Sequence, residues 1–377
     1  MQAKRLSQTD SQKARIARRL KGLRERRCLT QGALAERMGL PHRQTLASIE
    51  AGDRFVSPEE LVRAARSLSV DIGVFTDPFR LVGEGRFSFR ADRVPKDVLR
   101  RFEDQAGEWV ATYRTLLEQA GVSRSRLGRR LELVSESSYE DAQAAAEELR
   151  SKWQLGDIPA IALPAAIERE LGAQVLFVEA PSGVSGAAVH LPGLLTILVN
   201  RREPTGRRNF DLAHELFHLL TWDSMPPDRV EPTEVLRKKG NRVEKLADNF
   251  AGALLMPPDI VDRRWGQRDG TDLYHWLNST ASTLGVTSRA LKWRLVVLGH
   301  LSKAKAEGID DSVLAGNGGL ENRTTPLLFS RDFVARVYAA LEAGRLSLRK
   351  ALRLLDLDAQ EFGVLCRAYG FEPSYEV

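Results

Sequence analysis

The sequence predicts a multidomain chain: an all-α helix-turn-helix unit, then an α+β domain, then a helical C-terminal region. Three observations carry this. Four short apolar periodicities, separated by capping residues and glycines, occupy the first 75 residues. Three runs of strand character fall between residues 174 and 200, directly ahead of a helical pattern that holds two histidines. Beyond residue 330 the apolar spacing is helical again. A length of 377 residues allows two to three domains. The boundaries read as 12–75 for the first unit, 76–128 for a connector and long helix, 129–305 for the α+β domain, and 322–377 for the C-terminal module.

Composition narrows the class. The hydrophobic and charged fractions, 43% and 28%, are those of a soluble globular chain. No apolar run approaches the ~20 residues needed to span a membrane, and the first ten residues lack the apolar core of a signal peptide. A cytoplasmic location with no membrane partner is expected. Cys28 and Cys366 stand at opposite ends without metal spacing, so both read as free thiols in a reducing compartment. The net charge of +6 is concentrated early, at Lys13, Arg15, Arg18, Arg19, Lys21, Arg24, Arg26 and Arg27. Beside a helix-turn-helix pattern, that block points to nucleic acid.

In chain order, Ile16, Leu20 and Leu23 give the first helix its apolar stripe. Thr30 caps a second, residues 31–38, which buries Leu34, Ala35 and Met38 and stops at Gly39. A third runs from about Arg43 to Glu50 with Leu46 and Ile49 inward and Gly52 as terminator. Ser57, Pro58 and Glu60 open a fourth as N-cap, N1 residue and capping-box partner. The tight, Gly-containing turn between the second and third makes a helix-turn-helix.

The run Leu29-Thr-Gln-Gly-Ala-Leu-Ala-Glu-Arg-Met-Gly39, followed by Leu46-Ala-Ser-Ile-Glu-Ala-Gly52, resembles the lambda-repressor-like (XRE) class over about residues 12–72. The resemblance implies double-stranded DNA as a partner. With the third helix in the major groove, Arg43, Gln44, Thr45 and Ser48 are its candidates for base edges and nearby phosphates. Gln31 and Arg54 would hold backbone phosphates. The turn Leu40-Pro-His-Arg43 is one residue longer than is usual, which leaves the start of the recognition helix open by a residue.

Residues 77–93, with Pro78, Gly83, Gly85 and a short Phe-Ser-Phe alternation, read as a connector. A long helix follows, striped by Phe102, Trp109, Val110, Tyr113 and Leu117, as core or as the contact of a homodimer. Residues 121–137 read as a linker. Helices beginning near Ser138 and Asp157 lead into strands at 174–178, 186–191 and 195–200, the last two joined by a Pro192-Gly193 turn.

Next comes His214-Glu-Leu-Phe-His218, the H-E-x-x-H pattern of a zinc peptidase. Histidines at i and i+4 share a helix face and can reach one Zn²⁺. Glu215 is rotated away from them but stays close enough to handle an attacking water. A catalytic zinc site wants a third ligand, often a carboxylate, and its histidines want an acceptor on the other ring nitrogen. Glu244 and Asp248, also i and i+4 on an apolar helix, suit those two tasks.

Together, Arg207-Arg-Asn-Phe-Asp-Leu-Ala-His-Glu-Leu-Phe-His218, Glu244-x-x-Ala-Asp-x-Phe-Ala251 and Leu254-Leu-Met-Pro257 resemble the ImmA/IrrE metallopeptidases, bacterial regulators with a zincin-like core. The likeness implies zinc on His214, His218 and Glu244, with Glu215 as catalytic base. It departs at Phe217, where the family usually has a small residue, so a ring that narrows the cleft is expected.

His275 and His300 read as structural; the spacing of His190, in a strand, leaves open whether it faces the cleft. Residues 314–325, rich in Gly, read as a flexible link. The last three helices contain a Leu346-Ser-x-x-Lys-Ala-x-x-Leu-Leu355 pattern that is helix-turn-helix-like, or else a partner-binding or oligomerisation module.

The function expected is a DNA-binding transcriptional regulator with a zinc metallo-endopeptidase domain, a hydrolase that cleaves a repressor-like protein in a stress or mobile-element response. The alternative is a non-proteolytic transcription factor or antitoxin whose zinc domain is a sensor or partner-binding platform. Self-cleavage within 121–137 or 316–319 is a third reading.

Overall fold

A computed structural model describes residues 2–122, 130–227, 230–232, 242–321 and 324–372. The chain divides into two compact units. One comprises Met1–Arg86, Glu103–Gly121 and Arg353–Asp356; the other comprises Phe87–Phe102, Val122–Leu352 and Leu357–Val377.

The first unit is built on α1 (Gln2–Arg26), α2 (Gln31–Arg37), α3 (Arg43–Ala51), α4 (Pro58–Ser67) and α5 (Gly73–Thr76). Each end has a chemical cause. The Thr30 side chain accepts from the N–H of Ala33, Ser57 and Glu60 close a full capping box with Pro58 at the first turn, and Gly52 stops α3 at φ 82°. Leu20, Leu34, Leu46, Ile49, Ala64, Leu68 and Phe75 form the core.

Not all of the basic N-terminal block faces solvent. Arg19 is fully buried. Its guanidinium pairs with Glu84 at 3.0 Å and donates to the carbonyls of Val74, Phe75 and Asp77 at 3.1, 3.2 and 2.8 Å, and to that of Arg80. Arg24 is clamped on Glu50, and Arg15 on Glu118. Three of the eight charges expected to address nucleic acid are thus spent inside the unit.

The second unit contains β1 (Arg86–Ala91), whose first residue belongs to the other unit, and a five-stranded sheet. Next along the chain come α6 (Lys96–Ala120), which belongs to the first unit from Glu103 onward, α7 (Tyr139–Trp153), α8 (Pro159–Leu171), β2 (Gln174–Val178), β3 (Val184–Leu191), β4 (Leu194–Asn200), α9 (Thr205–Thr221), β5 (Val230–Pro232) and α10 (Arg242–Leu255). Sheet order is β2-β4-β3-β1-β5. β2 runs parallel to β4 (Val175 opposite Ile197), β3 antiparallel to it (Ala187 opposite Leu198), and β1 parallel to β5. The core joins Ile197 and Val199 of the sheet to Leu212, Leu216 and Leu220 of α9 and to Phe250 and Leu254 of α10. At the start of α9, a Cβ on Gly206 would come within 2.4 Å of the Val286 backbone, so only glycine fits there.

The sequence showed three strands; the sheet has five. Residues 86–91, expected as connector, form β1. Their alternation is too short to announce a strand alone, and the partner β5 lies far along the chain. The stripe on α6 is buried within this single chain, with Val110 and Tyr113 fully covered.

Two expected linkers also differ. Residues 123–129 lie outside those described, but Leu131 donates to the Leu220 carbonyl at 3.1 Å and Leu133 is core. Residues 315–319 form a 3₁₀ turn with three successive left-handed residues. Asn317 fastens it, accepting from Ser288 N–H and Oγ at 2.8 and 2.9 Å and donating to the Val286 carbonyl at 2.9 Å. Glycine there supplies positive φ rather than slack.

Further helices are α11 (Pro258–Gly266), α12 (Leu273–Leu284), α13 (Ser288–Val297), α14 (Lys303–Glu307), α15 (Arg331–Glu342), α16 (Leu348–Leu355) and α17 (Ala359–Ala368). The segment ahead of α15 is tied to the edge of β2, where the Phe329 N–H donates to the Phe177 carbonyl at 2.7 Å. Among the described residues no helix is long and apolar enough to cross a membrane, and both cysteines are free.

Candidate metal centre and nucleic-acid interface

α9 lies against β3 and β4 through its leucines, which turns one face toward α10. His214 and His218, one turn apart, stand on that face with Glu244 of α10 opposite. Their donor atoms converge. Nε2 of His214 is 3.0 Å from Nε2 of His218 and 3.2 Å from Glu244 Oε2, while Glu244 Oε1 is 3.5 Å from His218 Nε2. All three residues are buried. Tetrahedral zinc with bonds of 2.0–2.1 Å separates its donors by about 3.3–3.4 Å.

The tautomer supports the same fit. His214 Nδ1 lies 3.0 Å from Asp248 Oδ1. A carboxylate there accepts from Nδ1–H, which leaves the lone pair on Nε2. That lone pair faces another ring nitrogen and a carboxylate, an arrangement that a cation satisfies. These residues fit a divalent metal.

Glu215 is fully buried and lies beside β3. A Cβ at Gly186 would stand 3.8 Å from Glu215 Cγ and 2.9 Å from the Leu198 carbonyl oxygen. Glycine at 186 therefore lets the sheet run close along the motif.

Phe217 packs into the interior beside the candidate ligands. Its ring is fully buried in the core, 5.5 Å from the ring of Phe250, and stands edge-on to His218 at 5.8 Å. It backs a candidate ligand from the apolar side.

Sequence reasoning missed Arg90. This β1 residue is buried, with Nε 3.1 Å from Asp211 Oδ1 and Nη1 4.0 Å from Asp248 Oδ1. Burial works to lower its pKa, but Asp211, Asp248, Glu215 and Glu244 outweigh that and hold it above the ordinary value. Burial pushes the Asp211 carboxyl up, and Arg90 and Arg207 pull against that. Only a buried charged residue within a strand could have signalled Arg90, and the strand itself was not recognised.

The other histidines stand apart from the cluster. His190 stacks on Trp222 at 5.2 Å, His300 pairs with Asp262 at 2.7 Å, and the His275 N–H donates to the Asp272 cap.

In the first unit, Arg43 and Gln44 are exposed at the start of α3, and Thr45 and Ser48 are partly exposed on the same helix. Gln31 is engaged internally. Its Nε2 donates to Glu50 Oε2 at 2.9 Å, and its Oε1 accepts from Arg43 Nε at 3.4 Å. Arg54 grips Glu60 with two hydrogen bonds of 3.0 and 2.9 Å. Burial raises the Glu60 pKa, but Arg54 and the Ser57 N–H outweigh it and hold the carboxyl below its usual value.

Residues 169–296 match the family of the IrrE N-terminal-like domain, and residues 15–73 match that of a helix-turn-helix domain. No curated protein matches the chain. The chain thus joins a helix-turn-helix domain to a domain of an IrrE-like peptidase family.

Proposed function

We propose that this is a DNA-binding transcriptional regulator whose IrrE-like domain is a zinc-dependent endopeptidase that cleaves a repressor-like protein. The convergence of His214, His218 and Glu244, with Glu215 adjacent in sequence, carries the reading. Zn²⁺ held by those three residues would supply Lewis acidity, polarising a scissile carbonyl and acidifying water.

The chain's own groups do the rest. Asp248 fixes the ring of His214 with its Nε2 lone pair inward. Glu215 takes a proton from the attacking water and passes it to the leaving amine. Its burial keeps bulk water from competing for that proton. Arg43, Gln44, Thr45 and Ser48 read a DNA site from the exposed side of α3, while Gln31 and Arg54 brace the reading head through Glu50 and Glu60. A DNA reader tethered to a peptidase raises the effective concentration of a substrate bound nearby on the same DNA. This favours a DNA-bound regulator, switched in a stress or mobile-element response, as the protein cut.

Glu215→Gln tests the reading. The variant should bind one zinc ion as tightly as wild type and lose cleavage, and fragments present in wild-type cells should vanish in the variant strain. Cleavage at the wild-type rate by Glu215→Gln would refute the mechanism. The burial of both histidines and Glu215 is what favours a second reading, a non-proteolytic regulator in which zinc is sensed or merely structural. In that case no fragment depends on Glu215, and zinc alone changes DNA affinity.

A further inference from the structure

The matched peptidase segment begins at residue 169, yet one charged group of the site comes from residues 86–91. We infer that Arg90 is a positioning residue for the metal site, holding Asp211 and Asp248 so that His214 presents its Nε2 to the ion. The inference rests on the metal-centre reading above.

Three observations carry it. Arg90 spans carboxylates on two different helices: Asp211 of α9 at 3.1 Å and Asp248 of α10 at 4.0 Å. Asp248 in turn touches His214 Nδ1 at 3.0 Å, so the guanidinium is two contacts away from a ligand nitrogen. The side chain is 6% exposed, and a buried arginine persists only where carboxylates compensate it.

Charge bookkeeping explains why an arginine is needed. Asp211, Asp248, Glu215 and Glu244 all act on Arg90 electrostatically. Four carboxylates exceed the charge of one divalent ion by two. Arg90 offsets one of those two charges, and Arg207, 3.7 Å from Asp211, is shared with Glu203 at 3.6 Å. A guanidinium also spreads its charge over three nitrogens, so one side chain can lie within ion-pair distance of both carboxylates.

Asp211 stands one turn before Glu215 on α9, so the same clamp fixes the rotation of the motif helix relative to α10. A fragment limited to residues 169–296 would lack this group.

The test compares full-length wild type, Arg90→Met and Arg90→Lys by chelator-competition zinc affinity and by the d–d absorption of bound Co²⁺. Residues that support a metal ligand from behind typically change metal affinity by about 10–100-fold. Arg90→Met is expected to lose zinc affinity within that range and to show an altered Co²⁺ spectrum. Arg90→Lys is expected to recover part of the affinity but not the spectrum.

Should Arg90→Met fail to fold, Arg90→Lys decides: wild-type zinc affinity with an unchanged Co²⁺ spectrum overturns the proposal. The same result in folded Arg90→Met overturns it as well. Peptide cleavage is scored separately. Weakened zinc binding in the variants, with no cleavage by wild type, upholds Arg90 and refutes the peptidase reading. A wild type that binds no zinc overturns both.

Discussion

Replacing Phe217 with Ala decides whether its ring obstructs the site or supports it. The side chain is fully buried between α9 and α10, with Phe250 at 5.5 Å and His218 at 5.8 Å. Truncating a core phenylalanine to alanine typically costs about 3–5 kcal/mol, from lost transfer energy plus the cavity left behind. For a unit of this size each kcal/mol shifts the melting temperature by about 2–4 °C, so a drop of roughly 6–20 °C is expected. Phe217→Leu, which keeps more of the volume, should cost under about 1.5 kcal/mol. Zinc affinity should also fall in Phe217→Ala, because the wall behind His218 is removed. Thermal unfolding with and without zinc, paired with peptide cleavage, measures each part. An alanine variant as stable as wild type that cleaves faster would refute the core assignment, because an obstructing ring behaves that way and a supporting one does not.

Two further predictions concern the first unit. Glu60 has a folded-state pKa below its unfolded value. Its contribution is therefore present above the unfolded pKa and is lost as pH falls through the folded one. Glu60→Gln, which disrupts the Arg54 pair and weakens the cap, should cost about 1 kcal/mol at neutral pH. Calorimetry should show the difference from wild type vanishing in acid, and a deficit that persists unchanged there would contradict the assignment. At the DNA, Arg43→Ala should weaken binding by about 1–3 kcal/mol at a specific site if Arg43 reads a base edge. If it meets a phosphate instead, the loss is uniform across sequences and the salt slope falls by about one. Arg54→Ala should cost less, because its guanidinium is already bound to Glu60. Anisotropy titrations on specific and scrambled duplexes over a salt series separate these outcomes, and a larger loss for Arg54→Ala would reverse the assignment.

The spacing of His214, His218, Glu244 and Asp248 was legible because helix periodicity converts sequence offset into a shared face with no knowledge of the rest of the fold. The caps at Thr30, Ser57 and Gly52 were legible for the same reason: each satisfies backbone groups within four residues of itself. Charge was read less well. The block at residues 13–27 looks uniform in sequence, yet Arg19 closes on four carbonyls between residues 74 and 80. Whether an arginine faces water or a set of carbonyls depends on chain that has not yet arrived. Composition misled in the same way at residues 315–319, where glycines that suggest slack are required by positive φ and pinned by one buried asparagine.

Arg90 marks the limit most sharply. Arg86-Phe-Ser-Phe-Arg-Ala91 offers an alternation too short to separate from a loop, and its partners β3 and β5 come much later in the chain. A strand is specified by what pairs with it, so an isolated one carries little local signal. The electrostatics of the proposed metal site nevertheless point to such a residue. Glu215, Glu244, Asp248 and Asp211 all act on Arg90, and four ionised carboxylates outnumber the charge of one divalent ion. Buried net charge of this size is not tolerated without a counter-ion. Arg207 of α9 is half exposed and shared with Glu203, so a buried positive side chain from another element completes the compensation. Counting charge around a proposed metal site gives a way to ask for such a residue before any fold is known.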